Sequence, residues 1–370
     1  METVCKKDLC TGCMACVDIC PKNAISVEDE MMAYNAEIDI SKCVNCDACK
    51  KVCQVNNEIK FNQPKYWKQG WALDEDIRKE SSSGGFATAI ELMFVKTMGS
   101  VCSCTFEKGN FVFKLVERED KIHDFKGSKY VKSNPSGVYN LILHKIRAGE
   151  KVLFVGLPCQ VAGVLKYVGN NDNLYTIDLI CHGTPSPKIL QSFLDIYNMK
   201  LQDINKISFR TKNTFQLEKD KLFNVPAVMD YYTHTFLNSV SYTENCYTCK
   251  YARTERISDI TIGDSWGSEL DTDEQNRGIS LAICQTEKGK QLLMNSELCL
   301  FDVNIGRAIE YNHQLRHPSL KPDERKCFMN MIKDGDNFKK AIRKCYPKLF
   351  YKNIIKTILY KLKIYRGGIR

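Results

Sequence analysis

Residues 10–21 read CTGCMACVDICP and residues 43–53 read CVNCDACKKVC, so the spacing C-x-x-C-x-x-C-x-x-x-C occurs twice in the first sixty positions. No other feature restricts the fold as much. Three thiolates so spaced reach one cubane from a single loop, while the fourth, opening the next helix, points to a second cubane. On that rule Cys10, Cys13, Cys16 and Cys53 hold one [4Fe–4S] cluster, and Cys20, Cys43, Cys46 and Cys49 hold the other. Between the repeats, AISVEDE and AEIDIS alternate as short hairpin strands do. The competing chemistry, a pair of zinc ribbons, fits the doubled register poorly. The second repeat ends in Cys53-Gln54 where a proline is usual, which changes the exit turn and leaves the ligand set intact. Cys5 falls outside the pattern and is expected to be a spectator.

Nineteen cysteines in 370 residues need a reducing compartment unless they pair, and their clustering favours ligands over disulfides. The start, METVCKKDLC, lacks the apolar stretch of a signal peptide, and no run of eighteen apolar residues occurs, so a cytoplasmic location is expected. The net charge of +9 is local: residues 337–370 carry eleven Lys and Arg and no acid, which leaves −2 on the body. Nothing in that distribution suggests a nucleic-acid groove.

Beyond a polar connector near residue 60, strands alternate with helices. KVLFVG (151–156) and LYTIDLI (174–180) read as buried inner strands, joined by a helix that starts at Pro158 and stops at Gly169. This βαβ unit predicts two parallel neighbouring strands, with Cys159 and Cys181 after their C-terminal ends on the ligand-binding edge of the sheet. The pair Cys246 and Cys249 of ENCYTCKY is half of a four-thiolate site, and Cys159 and Cys181 are the candidates for the other half. Zinc and [4Fe–4S] both accept four thiolates; the neighbouring clusters and the three separate segments favour iron–sulfur, and buried structural cysteines are the plain alternative.

A cofactor bay is the next expectation. Ser82, Ser83, Gly84 and Gly85 precede a helix pattern, where hydroxyls and exposed N–H groups suit a phosphate, although an ordinary capped helix reads the same. KGSKYVKS brings Lys129 and Tyr130, suited to phosphate contact and ring stacking, or to a solvated loop. His182 and Asp264 are weak candidates for proton transfer, and their plain alternatives are a histidine that orients a ligand and a turn aspartate. Cys102 and Cys104 have no defensible ligand spacing, yet as C-S-C they can approach a cofactor.

SSSGGFATA, KGSKYVKS, GLPCQVAG, CHGTPS, NCYTCKYA and DITIGDSWG occur in this order, and together they resemble the family of coenzyme F-420 hydrogenase/dehydrogenase beta subunits over about residues 65–320. The resemblance implies FAD, a third [4Fe–4S] cluster held by Cys159, Cys181, Cys246 and Cys249, and a flavin near Ser82 to Gly85, Lys129, Tyr130 and Gln160. It implies an α/β fold with α+β elements, in which an N-terminal two-cluster ferredoxin module (1–60) joins an α/β flavin- and iron–sulfur-binding catalytic domain (65–335). A basic amphipathic helix (336–370) follows, which reads equally as a peripheral contact with an anionic membrane and as a helix docked on the body. The expected activity is an oxidoreductase exchanging electrons between a ferredoxin or the deazaflavin and a small organic molecule. The alternative is a non-catalytic electron-transfer subunit serving a redox partner protein.

Overall fold

A computed structural model describes residues 2–219, 221–226 and 228–365. In the N-terminal sixty residues, strands β1 (Glu2–Thr3), β2 (Ile25–Asp29) and β3 (Tyr34–Ile38) pair antiparallel in the order β1-β3-β2. The sequence repeat is also a conformational repeat. Gly12 and Met14 have positive φ of 66° and 60°, and Asn45 and Asp47, thirty-three positions later, have 52° and 54°. These left-handed residues bend each cysteine loop back on itself before the short helices Ala15–Asp18 and Ala48–Val52.

The rest of the chain is built on an eight-stranded mixed sheet. Its strands are β4 (Tyr66–Ala72), β5 (Gly99–Glu107), β6 (Asn110–Val116), β7 (Lys151–Gly156) and β8 (Leu174–Leu179). After a small pairing of β9 (Glu218–Lys219) with β10 (Lys221–Leu222) come β11 (Ile260–Asp264), β12 (Ser280–Cys284) and β13 (Leu298–Phe301). The order is β13-β4-β12-β11-β8-β7-β5-β6. Strands β5, β7, β8 and β11 are parallel and central; the outer pairs are antiparallel. The expected βαβ unit is present, with β7 and β8 adjacent and parallel. Val152, Leu153, Phe154 and Ile177 are fully buried because helices cover both faces, which is why these strands read as apolar runs and not as alternations.

The N-terminal module packs on this frame through specific contacts. The Asp18 carboxylate accepts the N–H of Gly137 at 2.8 and 2.9 Å and of Tyr139 at 3.3 Å, supplying from another segment the cap that helix Val138–Arg147 lacks in its own N-cap side chain. Tyr139 Oη donates to the Cys13 carbonyl at 2.6 Å. Gln54, in the place of the usual proline, is buried; it accepts from Tyr251 Oη at 2.5 Å and its carbonyl accepts from Lys250 Nζ at 2.6 Å.

The C-terminal helix Pro347–Lys361 docks by Phe350 and by Asn353, whose Nδ2 donates to the Met229 carbonyl at 3.3 Å. Ile355 and Ile358 face outward, 58% and 51% exposed, so the docked arrangement accounts for part of the apolar pattern. Tail residues 366–370 lie outside the described residues. Among the described residues no helix is long and apolar enough to cross a membrane.

Gly163, inside helix Pro158–Val168, sits where that helix meets the first cysteine loop. A Cβ there would stand 2.9 Å from Tyr139 Oη and 3.2 Å from Cys13 Cβ. Helix propensity alone favours alanine by about 1 kcal/mol. Crowding reverses the sign: Gly163→Ala is expected to destabilise the protein by about 1–3 kcal/mol, measured by denaturant unfolding. A more stable variant would contradict this packing.

Candidate iron–sulfur and cofactor site

The thiols of Cys20, Cys43, Cys46 and Cys49 line one pocket of about 30 Å³, as the spacing rule groups them. It lies toward the surface, with Cys46 exposed and Val44 56% exposed. Cys10, Cys13, Cys16 and Cys53 are buried together in the core between the module and the sheet domain. The repeat extends to hydrogen bonding: Gly12 N–H donates to Cys10 Sγ at 3.4 Å and Asn45 N–H to Cys43 Sγ at 3.4 Å. Such donors stabilise thiolates and tune a cluster. Cys5 is less detached than its spacing implies. It is buried, and hydrogen bonds to Cys10 and Cys53 push its thiol far up.

A second pocket, of about 140 Å³, is lined by Cys159, Cys181, Cys246 and Cys249. Three separate segments deliver them. Cys159 opens the helix after β7, Cys181 follows β8, and the turn Glu244–Thr248 carries Cys246 and ends at Cys249. Thr243 Oγ1 lies 3.5 Å from Cys246 Sγ. Burial pushes the Cys249 thiol up to about 12, and the neighbouring Cys159 and Cys246 add to the shift. A set of this kind ionises only around a cationic centre. Among the described residues no three His, Cys, Asp or Glu side chains close on one point as ligands of a single ion.

Lys132 projects into this pocket and is 4% exposed. Its Nζ donates to the Thr11 carbonyl at 3.0 Å. Burial works against its charge, but Cys159, Cys246, Cys181 and Cys10 outweigh that and raise its pKa.

A larger cavity, about 410 Å³, opens at the C-terminal ends of β7, β8 and β11, where open α/β sheets bind ligands. Ser82, Ser83, Gly85, Lys129, Tyr130, Gln160, His182 and Asp264 line it. Gly84 is not among its lining residues; a Cβ there would meet the Gly70 carbonyl at 2.4 Å and Ser280 N at 2.6 Å, so its task is to let the serine turn lie against β4 and β12. Gly85, at φ 91°, starts the helix Phe86–Thr97. Ser82 Oγ accepts the Ser128 N–H at 2.9 Å, joining the serine turn to the lysine loop. Gln160 is buried; its Oε1 accepts the Leu157 N–H at 2.9 Å and its Nε2 donates to Ser133 Oγ at 3.0 Å. Tyr130 stacks on Phe236 at 4.3 Å. Cys104 lines the cavity, whereas Cys102 is fully buried in the core.

Asp264 is committed to Arg210 through two bonds of 2.7 and 2.8 Å, and Arg210 lies over the rings of Phe215 and Trp266. His182 Nδ1 is 2.6 Å from Gln314 Nε2, and burial, with His313 nearby, lowers its pKa to about 4, so its ring is neutral. Serine hydroxyls, the cations Lys126, Lys129 and Arg210, and aromatic rings on one wall suit a ligand that is anionic at one end and planar at the other.

Leu157, Cys181, His182, Gly183 and Thr184 belong to both the thiol pocket and this cavity, so one wall separates them. Cys13 in turn lies against Gly163 in the helix that begins at Pro158 and carries Cys159 in its first turn. The three thiol sets and the cavity therefore form a series: outer set, inner set, sheet-edge set, cavity.

Glu91 was not legible as a functional residue, being one acid within an apolar helix pattern. It is 2% exposed and lines the cavity, and burial pushes its carboxyl up to about 7, against the opposing pull of Ser103 and Lys129.

Residues 9–57 match the 4Fe-4S dicluster domain, which makes the chain an iron–sulfur electron-transfer protein. Residues 149–298 match the C terminus of the beta subunit of coenzyme F420 hydrogenase/dehydrogenase, so the chain carries that domain, and its relatives are oxidoreductase components. That stretch contains Cys159, Cys181, Cys246, Cys249, Gln160, His182 and Asp264; the serine turn and the lysine loop precede it. A subunit of the F(420)H(2) dehydrogenase of Methanosarcina mazei is 23% identical over 293 residues, which is 72% of this chain and 79% of that one. The coenzyme F420-dependent sulfite reductase of Methanocaldococcus jannaschii is 23% identical over 85% of this chain, which spans only 49% of that longer protein. A chain of the F420-reducing [NiFe] hydrogenase complex from Methanosarcina barkeri aligns at a TM-score of 0.49 and 19% identity, over 84% of this chain and 96% of that one.

Glu91 gives a signed pH effect. Its carboxyl holds a proton in the folded chain that the unfolded chain has already lost, so stability falls as pH rises from about 4.5 to about 7. Glu91→Gln removes this cost. Thermal unfolding should show the variant matching the parent at pH 5 and exceeding it by on the order of 2–3 kcal/mol at pH 8. Equal stability at pH 8 would refute the protonated assignment.

Proposed function

We propose that this chain is an iron–sulfur flavoprotein oxidoreductase. It exchanges electrons between a ferredoxin or the deazaflavin F420 and a small organic molecule through three [4Fe–4S] clusters and FAD. Cys20, Cys43, Cys46 and Cys49 hold the outer cluster, Cys10, Cys13, Cys16 and Cys53 the inner one, and Cys159, Cys181, Cys246 and Cys249 the third. FAD occupies the large cavity, with Ser82, Ser83 and Lys129 toward its phosphates and Tyr130 and Gln160 toward its ring. Residues 1–60 are the electron inlet or outlet, 65–335 the catalytic domain, and 336–370 a basic appendage.

The observation that carries this reading is the wall of Leu157, Cys181, His182, Gly183 and Thr184 common to the third thiol pocket and the cavity. FAD supplies the exchange between two-electron hydride chemistry and one-electron steps, which clusters alone cannot make. The protein's part is placement. Arg210, fixed by Asp264, presents a permanent positive charge to the cavity, while neutral His182 in the wall is held by Gln314. Glu91, protonated below about pH 7, puts an exchangeable proton beside Lys129 inside the cavity.

A second reading, an electron-transfer subunit serving a partner enzyme, is favoured by the name of the Methanosarcina mazei relative, which is one subunit of a dehydrogenase. Anaerobically purified chain assayed alone with reduced ferredoxin, viologen dye or deazaflavin separates the two: turnover without a partner supports the enzyme.

Composition tests the site. The unaltered chain should carry about twelve irons, a matching amount of acid-labile sulfide and one FAD, and Cys249→Ser should lose about four irons while keeping the N-terminal pair. About eight irons with bound zinc in the unaltered chain would remove the third cluster.

A further inference from the structure

A buried cation is stable only beside compensating negative charge. Lys132 is 4% exposed and lines the pocket of Cys159, Cys181, Cys246 and Cys249 at the sheet edge. The loop it reaches on its other side carries Cys10 and Cys13 of the inner N-terminal set. Its position is fixed. The backbone N–H donates to the Pro185 carbonyl at 2.8 Å, Nζ donates to the Thr11 carbonyl at 3.0 Å between Cys10 and Cys13, and Nζ lies 5.8 Å from the Tyr34 ring centroid. The ammonium thus reaches from the sheet-edge pocket to the loop of the inner N-terminal set, and Lys132 is not among the residues lining the 30 Å³ pocket of the outer set.

We propose that Lys132 grades the reduction potentials of the clusters along the chain, raising that of the third cluster most, that of the inner N-terminal cluster less, and that of the outer cluster least. Each cluster gains negative charge on reduction, and a cation held in low dielectric stabilises the reduced form in proportion to its proximity. The third cluster, beside the cavity, becomes the preferred resting place of an electron, and transfer from the surface inward runs downhill. This inference rests on the proposed third cluster.

The test uses the full chain purified anaerobically as Lys132→Gln, which loses the charge but can still donate to Thr11, and as Lys132→Arg, which keeps it. Iron and sulfide are counted first; the clusters are then titrated potentiometrically with paramagnetic resonance detection. Lys132→Gln should weaken reduction of the third cluster at least tenfold, a fall of about 59 mV for a one-electron couple, with a smaller fall at the inner cluster and none at the outer. Lys132→Arg should restore most of it. Loss of the third cluster from Lys132→Gln but not from Lys132→Arg would support the same charge compensation. Twelve irons with unmoved potentials, or an arginine variant as low as the glutamine one, would overturn the role of Lys132 alone. Eight irons in the unaltered chain would overturn the third cluster, and this proposal with it.

Discussion

The contact between the first cysteine loop and the helix Pro158–Val168 determines everything placed around it. Position 163, without a side chain, leaves room for Cys13 to lie closely against that helix, and the Tyr139 hydroxyl at the same spot holds the Cys13 carbonyl. The helix begins at the end of β7, so its first turn carries Cys159 to the sheet edge. One close approach therefore fixes the distance from an N-terminal thiol set to the set beside the cavity. Asp18 on the capless helix Val138–Arg147 keeps the loop from rolling on this pivot.

The cavity behaves as a charged container. Arg210 lines the ligand space with its terminal nitrogens held by Asp264 and its Nε donating to the Lys212 carbonyl, while Lys129 and Glu91 share another part of the wall. An anion entering this space meets fixed cations, and a carboxyl that stays protonated near neutrality does not oppose it. The electrostatics are therefore organised for a negatively charged ligand before one arrives.

Much of the arrangement was legible in the sequence, for reasons that differ from segment to segment. The doubled spacing determines a loop geometry, and the repeated left-handed residues Gly12, Met14, Asn45 and Asp47 show why it reads so clearly. The βαβ unit was legible because inner parallel strands are continuous apolar runs, and the placement of Cys159 and Cys181 followed from it. What escaped is non-local. Glu91 looks like an ordinary helix acid until β5 covers it, and Gly84 carries a packing constraint that a serine–glycine turn does not reveal. Lys132 was one basic residue in a basic loop, and only its burial between two cysteine loops from distant segments sets it apart.

Gln54 has a consequence for biogenesis. A proline there would keep the backbone carbonyl that Lys250 donates to but would have no amide side chain to accept from Tyr251, so the glutamine adds a second hold on the two residues directly after Cys249. The loop that ends at Cys249 is thus held against the exit of a module translated some two hundred residues earlier, so its final placement waits on both segments being present.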